Sequence, residues 1–277
     1  MKRYIKIIAL SLALISLSSC GLLRDAGTVA NDHETATEAI TEYPVPEGAV
    51  IPKRDPDAPL TVCIDAGHGY DDPGCTSDYL GDVWEREITA DYATELKAEL
   101  ESRGYRVVML HTPERYVTAD EIKAEADRLG LVYKKDKVTE DGRFGAYNRT
   151  IWTNVLHRAT FIDVFVSLHV DSLPSDKSVK GTRTYYCSEN VYKGASKRLC
   201  DSISTAIGDA VPGRKAQTYA KNLNDAYIVT KYSHMPSALI EIGFASNKDD
   251  AGHILDPEWR GKFVSAVADG IGAYWNK

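Results

Sequence analysis

Thr61-Val62-Cys63-Ile64-Asp65-Ala66-Gly67-His68-Gly69 is a nearly continuous apolar run that ends on an aspartate, two glycines and a histidine. A run this short, closed by glycine, reads as a buried strand whose carboxyl end lies at the polar break. Two later stretches repeat the pattern: Val164-Phe165-Val166-Ser167-Leu168-His169, and Ala238-Leu239-Ile240-Glu241-Ile242-Gly243-Phe244. Glu85 stands just ahead of an amphipathic segment. Burying ionisable groups costs several kcal/mol unless something pairs with them, so polar residues repeated at strand ends predict a shared partner. Two imidazoles and a carboxylate suit a zinc shell, and a second glutamate is then available to move protons.

Outward from these blocks the elements alternate. Residues 60–65 read as a strand, and Ile88, Tyr92, Leu96 and Leu100 mark one stripe of a helix ending near Arg103-Gly104. Residues 105–110 and 164–168 read as strands, with a helix over about 145–159 between them. Residues 181–187, rich in Thr and Tyr, predict a strand at an edge or solvated on one side. Leu199, Ile203, Ala206 and Ile207 mark another helix, 227–229 a short strand, 238–242 a buried strand, and Phe263, Val267, Ile271 and Tyr274 the last helix. Alternation of this kind implies an α/β fold: a largely parallel sheet covered on both faces, with ligands at the carboxyl ends of the strands. His68, His169 and Glu241 then meet at one rim.

The N-terminus speaks to compartment. Lys2, Arg3 and Lys6 flank an apolar run over 7–17, shorter than the roughly 20 residues of a spanning helix, and it reads as a signal peptide. Leu17-Ser18-Ser19-Cys20 resembles a bacterial lipobox, which makes Cys20 the expected lipidation site and residues 1–19 the cleaved signal. Residues 20–59, polar and carrying prolines at 44, 46, 52, 56 and 59, read as a disordered tether. Residues 60–277 suffice for one catalytic domain. Lys and Arg number 33 against 40 Asp and Glu, a net charge of −7 without a basic stripe, which argues against nucleic acid. Cys63, Cys75, Cys187 and Cys200 match no metal motif; they are either buried free thiols or disulfides whose pairing spacing does not assign.

The blocks together resemble the zinc-dependent N-acetylmuramoyl-L-alanine amidases of bacterial cell-wall hydrolases. Asp65-Ala66-Gly67-His68-Gly69 is similar to that family's D-P-G-H-G, with Ala66 in place of proline. Glu85-Arg86-Glu87-Ile88-Thr89 resembles E-K-D-x-N, Ser167-Leu168-His169-Val170-Asp171 resembles S-I-H-A-N/D, and Glu241-Ile242-Gly243-Phe244-Ala245-Ser246-Asn247 resembles E-x-G-F-x-S-N. The resemblance implies a mixed sheet of about six strands flanked by helices on both faces. It implies that His68, Glu85 and His169 bind one zinc ion and that Glu241 is the catalytic carboxylate. The implied substrate is peptidoglycan, cut between the lactyl group of N-acetylmuramic acid and L-alanine of the stem peptide, by a lipid-anchored protein facing the wall.

Asp65 and Asp171 are candidates to orient His68 and His169, with turn capping an equal account. His33, His111, His157, His234 and His253 match no ligand position and read as surface or satisfied polar groups. A protein activator is left open. Two rival readings remain at this level: a zinc peptidase or other deacylase on a similar sheet, and an inactive lipid-anchored wall-binding protein. Residues 118–146 exceed the family's usual connection. Thr118 or Asp120 could cap a helix there with Ile122, Ala126 and Leu129 inward, forming a groove wall or a movable lid.

Overall fold

The computed structural model describes residues 53–112, 115–139, 145–211 and 216–276. The expected signal peptide, Cys20 and most of the tether lie outside them. Along the chain run β1 (Thr61–Ala66), α1 (Glu85–Ser102), β2 (Arg106–Met109), α2 (Ala119–Arg128), α3 (Ala146–Thr160), β3 (Val164–Asp171), β4 (Thr182–Cys187), α4 (Lys193–Ala210), β5 (Ala216–Lys221), α5 (Ile228–Lys231), β6 (Ser237–Phe244), α6 (Lys248–Leu255) and α7 (Pro257–Trp275). The strands form one six-stranded sheet in the order β2-β1-β3-β6-β4-β5. The first four of that order are parallel to one another, while β4 joins β6 antiparallel and carries β5 parallel to itself. Every residue of β1 and β6 is buried, as central strands covered on both faces require.

Successive strand residues point to opposite faces, and this sorts them into two cores. Val62, Ile64, Val166, Leu168, Ile240 and Ile242 pack with Leu96 of α1, Ile203 of α4 and Phe263 and Ile271 of α7. Cys63, Phe165, Leu239 and Tyr185 pack with Ile122 of α2, Ile151 and Val155 of α3 and Val229 of α5. The stripe Ile88, Tyr92, Leu96 and Leu100 is the buried face of α1.

Two expectations need correction. Residues 227–229 do not form a strand; Tyr227 caps the short helix α5 and the next two residues open it, and the outermost strand is β5. β4 is not at an edge but between β6 and β5, with only Arg183 less than fully buried. Its hydroxyls tolerate this because they are bonded: Thr182 Oγ1 donates to the Ile242 carbonyl at 2.8 Å, and Thr184 Oγ1 lies 2.9 Å from Ser204 Oγ.

α2 is capped as its sequence suggests. Thr118 Oγ1 accepts from the Glu121 amide at 3.2 Å and Glu121 Oε2 accepts from the Thr118 amide at 3.0 Å, a reciprocal capping box. Ile122 and Ala126 are fully buried, and the helix packs against α3. Cys63, Cys187 and Cys200 are buried free thiols and Cys75 is a partly buried one.

Candidate metal centre and active site

β1 ends at Ala66, and the chain turns through Gly67 into His68, whose φ of 65° is a costly left-handed conformation for a residue with a side chain. The turn aims the imidazole. Its Nδ1 lies 2.8 Å from Asp72 Oδ2, and its Nε2 lies 3.1 Å from Glu85 Oε1. A carboxylate on Nδ1 fixes the tautomer that leaves Nε2 as a lone-pair donor. His169, near the end of β3, brings Nδ1 to 3.0 Å from the same Glu85 oxygen. Gly67 makes room for it: a Cβ there would collide with the Leu168 carbonyl and the His169 ring.

Glu85 opens α1 and is held by two backbone amides. Val170 N–H donates to its Oε1 at 2.9 Å and Cys75 N–H to its Oε2 at 2.8 Å. Gly74, at φ 70°, lies over it, and a Cβ there would come within 2.6 Å of Oε2. Burial alone would raise the Glu85 pKa, but hydrogen bonds and charge from His169 and His68 hold it below the ordinary carboxylate range. Burial pushes His169 down, with Arg149 adding to it against the pull of Glu85, which favours the neutral imidazole that a metal needs.

His68, Glu85 and His169 each offer one ligand atom, all within 4.8 Å of one another. Zinc bonds of about 2.0–2.1 Å in a tetrahedron set neighbouring ligand atoms roughly 3.3 Å apart. The contacts of 3.1 and 3.0 Å between Glu85 Oε1 and the two imidazole nitrogens come close to that spacing. The residues therefore fit such an ion.

Glu241 stands opposite His169 in the β3–β6 register and opposite Arg183 in the β4–β6 register. It is buried, and among the described residues its Oε2 has no hydrogen-bond partner. Burial, followed by Asp171 and Glu85, pushes its pKa well above the ordinary value, with Arg183 opposing. A carboxyl so placed can hold a proton near neutrality and pass it on.

The two aspartates expected to orient the histidines turn elsewhere. Asp65, fully buried, accepts from Arg149 Nη1 at 2.5 Å and from Ser167 Oγ at 2.7 Å. Burial opposes its ionisation, but Arg149 and His111 together outweigh this and hold its pKa below the ordinary carboxylate range. Asp171 Oδ1 accepts from the Ser172 amide at 2.8 Å, the turn-capping alternative, and its Oδ2 lies 3.9 Å from Arg183. The carboxylate that orients His68 is Asp72, a residue the sequence did not single out. Its one signal was its place four residues after His68 in a glycine-bounded turn. His111, read as a surface or satisfied polar group, is buried with its Nε2 2.7 Å from the Ala66 carbonyl oxygen. Its ring stacks on Tyr116, which meets Tyr70 edge to face, so the chain leading into α2 packs against the turn that follows β1.

Fold and site together define an α/β domain with a candidate His-His-Glu metal site at the carboxyl end of its sheet. A family model described as N-acetylmuramoyl-L-alanine amidase matches residues 62–273. Curated relatives include the uncharacterized protein YqiI of Bacillus subtilis, 28% identical, covering 78% of this chain and 85% of its own. The N-acetylmuramoyl-L-alanine amidase LytC of the same organism is 25% identical over 80% of this chain, which spans only 37% of LytC. The crystal structure of an N-acetylmuramoyl-L-alanine amidase from Clostridium difficile 630 superposes with a TM-score of 0.59 at 21% identity, covering 79% of this chain and 97% of that one, a likeness of fold. The chain belongs to the N-acetylmuramoyl-L-alanine amidase family. Its activity is hydrolysis of peptidoglycan at the amide between N-acetylmuramic acid and L-alanine.

Proposed function

We propose that this amidase is zinc-dependent, with His68, Glu85 and His169 holding one ion and Glu241 moving the protons. The observation that carries the reading is the convergence of three ligand atoms within 4.8 Å, beside a buried carboxyl that has an unpartnered oxygen. When bound, the ion supplies Lewis acidity, polarising the amide carbonyl and lowering the pKa of water towards roughly 7. Three protein ligands leave one position open for substrate chemistry. Asp72 keeps His68 in its donor tautomer, while the Val170 and Cys75 amides keep Glu85 in place. Glu241 takes a proton from the attacking water and returns it to the departing alanine nitrogen, a contribution of typically 10² to 10⁴ in rate. Its raised pKa supports the second half of that exchange. The lactyl–alanine bond breaks and the stem peptide leaves intact with a free amino terminus, whereas a peptidase would cut between amino acids. The clustering of ligands and proton shuttle counts against an inactive wall-binding protein, which has no use for either. Purified protein should carry one zinc per chain and lose it in His169→Ala; stoichiometric zinc in both His68→Ala and His169→Ala would sink the assignment.

The same reading places the enzyme outside the cytoplasm, anchored through lipid on Cys20 and the 20–59 tether. The lipobox-like Leu17-Ser18-Ser19-Cys20 motivates it, and the cell-wall function of the family supports the compartment. Acylation by two or more chains anchors stably where a single chain does not. The protein should therefore fractionate with membranes and be released by Cys20→Ala, and an unmodified Cys20 in membrane-bound material would reject the anchor.

A further inference from the structure

We propose that Arg183 is a specificity-determining residue that binds a carboxylate of the stem peptide, so that the peptide side of the substrate crosses the sheet from β6 towards β4. The inference rests on the proposed role of Glu241 as proton donor to the departing nitrogen. A proton reaches that nitrogen only if it lies within hydrogen-bond reach of Glu241, so the peptide that the nitrogen begins leaves on Glu241's side of the metal cradle. Strand order fixes what comes next. His68 follows β1, His169 is on β3, Glu241 on β6 and Arg183 on β4, and these strands are consecutive neighbours. Arg183 is opposite Glu241 in register, and directly opposed residues share a face.

The Arg183 side chain is built to receive an anion. Its guanidinium carbon lies 4.6 Å from the centre of the Phe244 ring and 5.4 Å from that of Tyr219, so aromatic rings of β6 and β5 hold it. The side chain keeps 29% of its surface exposed. Among the described residues its polar partners are Asp171, at 3.9 Å, and the Tyr185 hydroxyl. The first distance is too long for a bidentate pair, and a guanidinium carries five donors, so donors remain for an incoming carboxylate. A cation is needed here. Glu85 and Asp171 bring negative charge to this rim in a chain of net charge −7, and a stem peptide brings carboxylates of its own. Arg183 offsets that repulsion on the β4 side of the rim.

The bland alternative is that Arg183 serves Glu241 alone, by opposing the rise in its pKa. The two roles separate experimentally. Muropeptides released from purified peptidoglycan are assayed with the zinc-loaded full chain, native and after carbodiimide amidation of their carboxylates, using wild type, Arg183→Gln and Arg183→Lys. A lost charged hydrogen bond corresponds to about tenfold or more in affinity. Amidation should therefore raise the wild-type KM by about that factor. Arg183→Gln should raise KM similarly on native fragments and be indifferent to amidation, with Arg183→Lys restoring part of the loss. Calorimetric titration with the released stem peptide, free and amidated, should show the same pattern without turnover. Equal KM and equal peptide affinity for native and amidated ligands in wild type would overturn the proposal, and that arm requires no variant to fold. An Arg183→Gln enzyme changed in kcat or pH profile at unchanged KM would assign Arg183 to Glu241 instead. Should wild type cleave neither fragment, the catalytic reading fails, while the peptide titration still decides the role of Arg183.

Discussion

Glu85 and Glu241 are the same residue type in opposite surroundings. Glu85 accepts from two amides and faces two imidazoles, which stabilise its charge; Glu241 is buried beside other carboxylates with an oxygen unpartnered, which favours its proton. Environments that push two carboxyl groups apart are what assign different roles to them. Glu241→Gln should keep zinc and lose at least about a hundredfold in rate, roughly 2.7 kcal/mol of transition-state stabilisation. Near-normal turnover in that variant would contradict the role. The four principal residues were legible because each interrupts or ends a pattern that asks for something else. Asp72, Arg149 and Arg183 were not, because their meaning comes from contacts that exist only once the chain has closed: Asp72 on His68, Arg149 on Asp65 across 84 residues, and Arg183 opposite Glu241.

At the scale of elements, central strands were legible and marginal ones were not. β1, β3 and β6 are buried on both faces, so their sequences are nearly all apolar; β5 is partly exposed throughout and leaves no such trace. α3 is a different case, since the face it buries includes Asn148, Arg149, Thr153, Asn154 and His157, and a polar buried face hides its own function. The far end of α3 carries a testable consequence. Burial, with Arg158 adding to it, pushes His157 and His234 down to about 4. His157 Nδ1 accepts from the Ile162 amide at 3.1 Å, while both His234 ring nitrogens are buried without partners among the described residues. These rings are neutral when folded but titrate near 6.5 when unfolded, so between roughly pH 6.5 and 4 the unfolded chain binds more protons. Their contribution is fully present above that window and is lost as pH falls through it, up to about 3 kcal/mol for each ring. Urea midpoints should drop from pH 7 to 4.5, and His234→Leu should flatten the slope; a slope unchanged by His234→Leu would remove His234 from the account.

For the molecule as a whole, the sheet sets the chain's entry into the domain and the candidate site at opposite ends. The tether ends beside the start of β1, where Arg54 pairs with Asp163 at 2.9 Å and Asp163 Oδ2 accepts from the Thr61 amide at 2.7 Å. The metal cradle lies at the other end of the same strand, about 20 Å away by strand rise. The proposed anchor at Cys20 would hold the domain by the end opposite the candidate catalytic rim. What remains central is the chemistry at that rim. Peptidoglycan should be digested with the purified protein as isolated, after complete removal of metal by chelator, and after return of one equivalent of zinc, with new L-alanine amino termini quantified in each digest. The account predicts release, then loss of at least about a hundredfold, then recovery; undiminished release from the metal-free protein would contradict it.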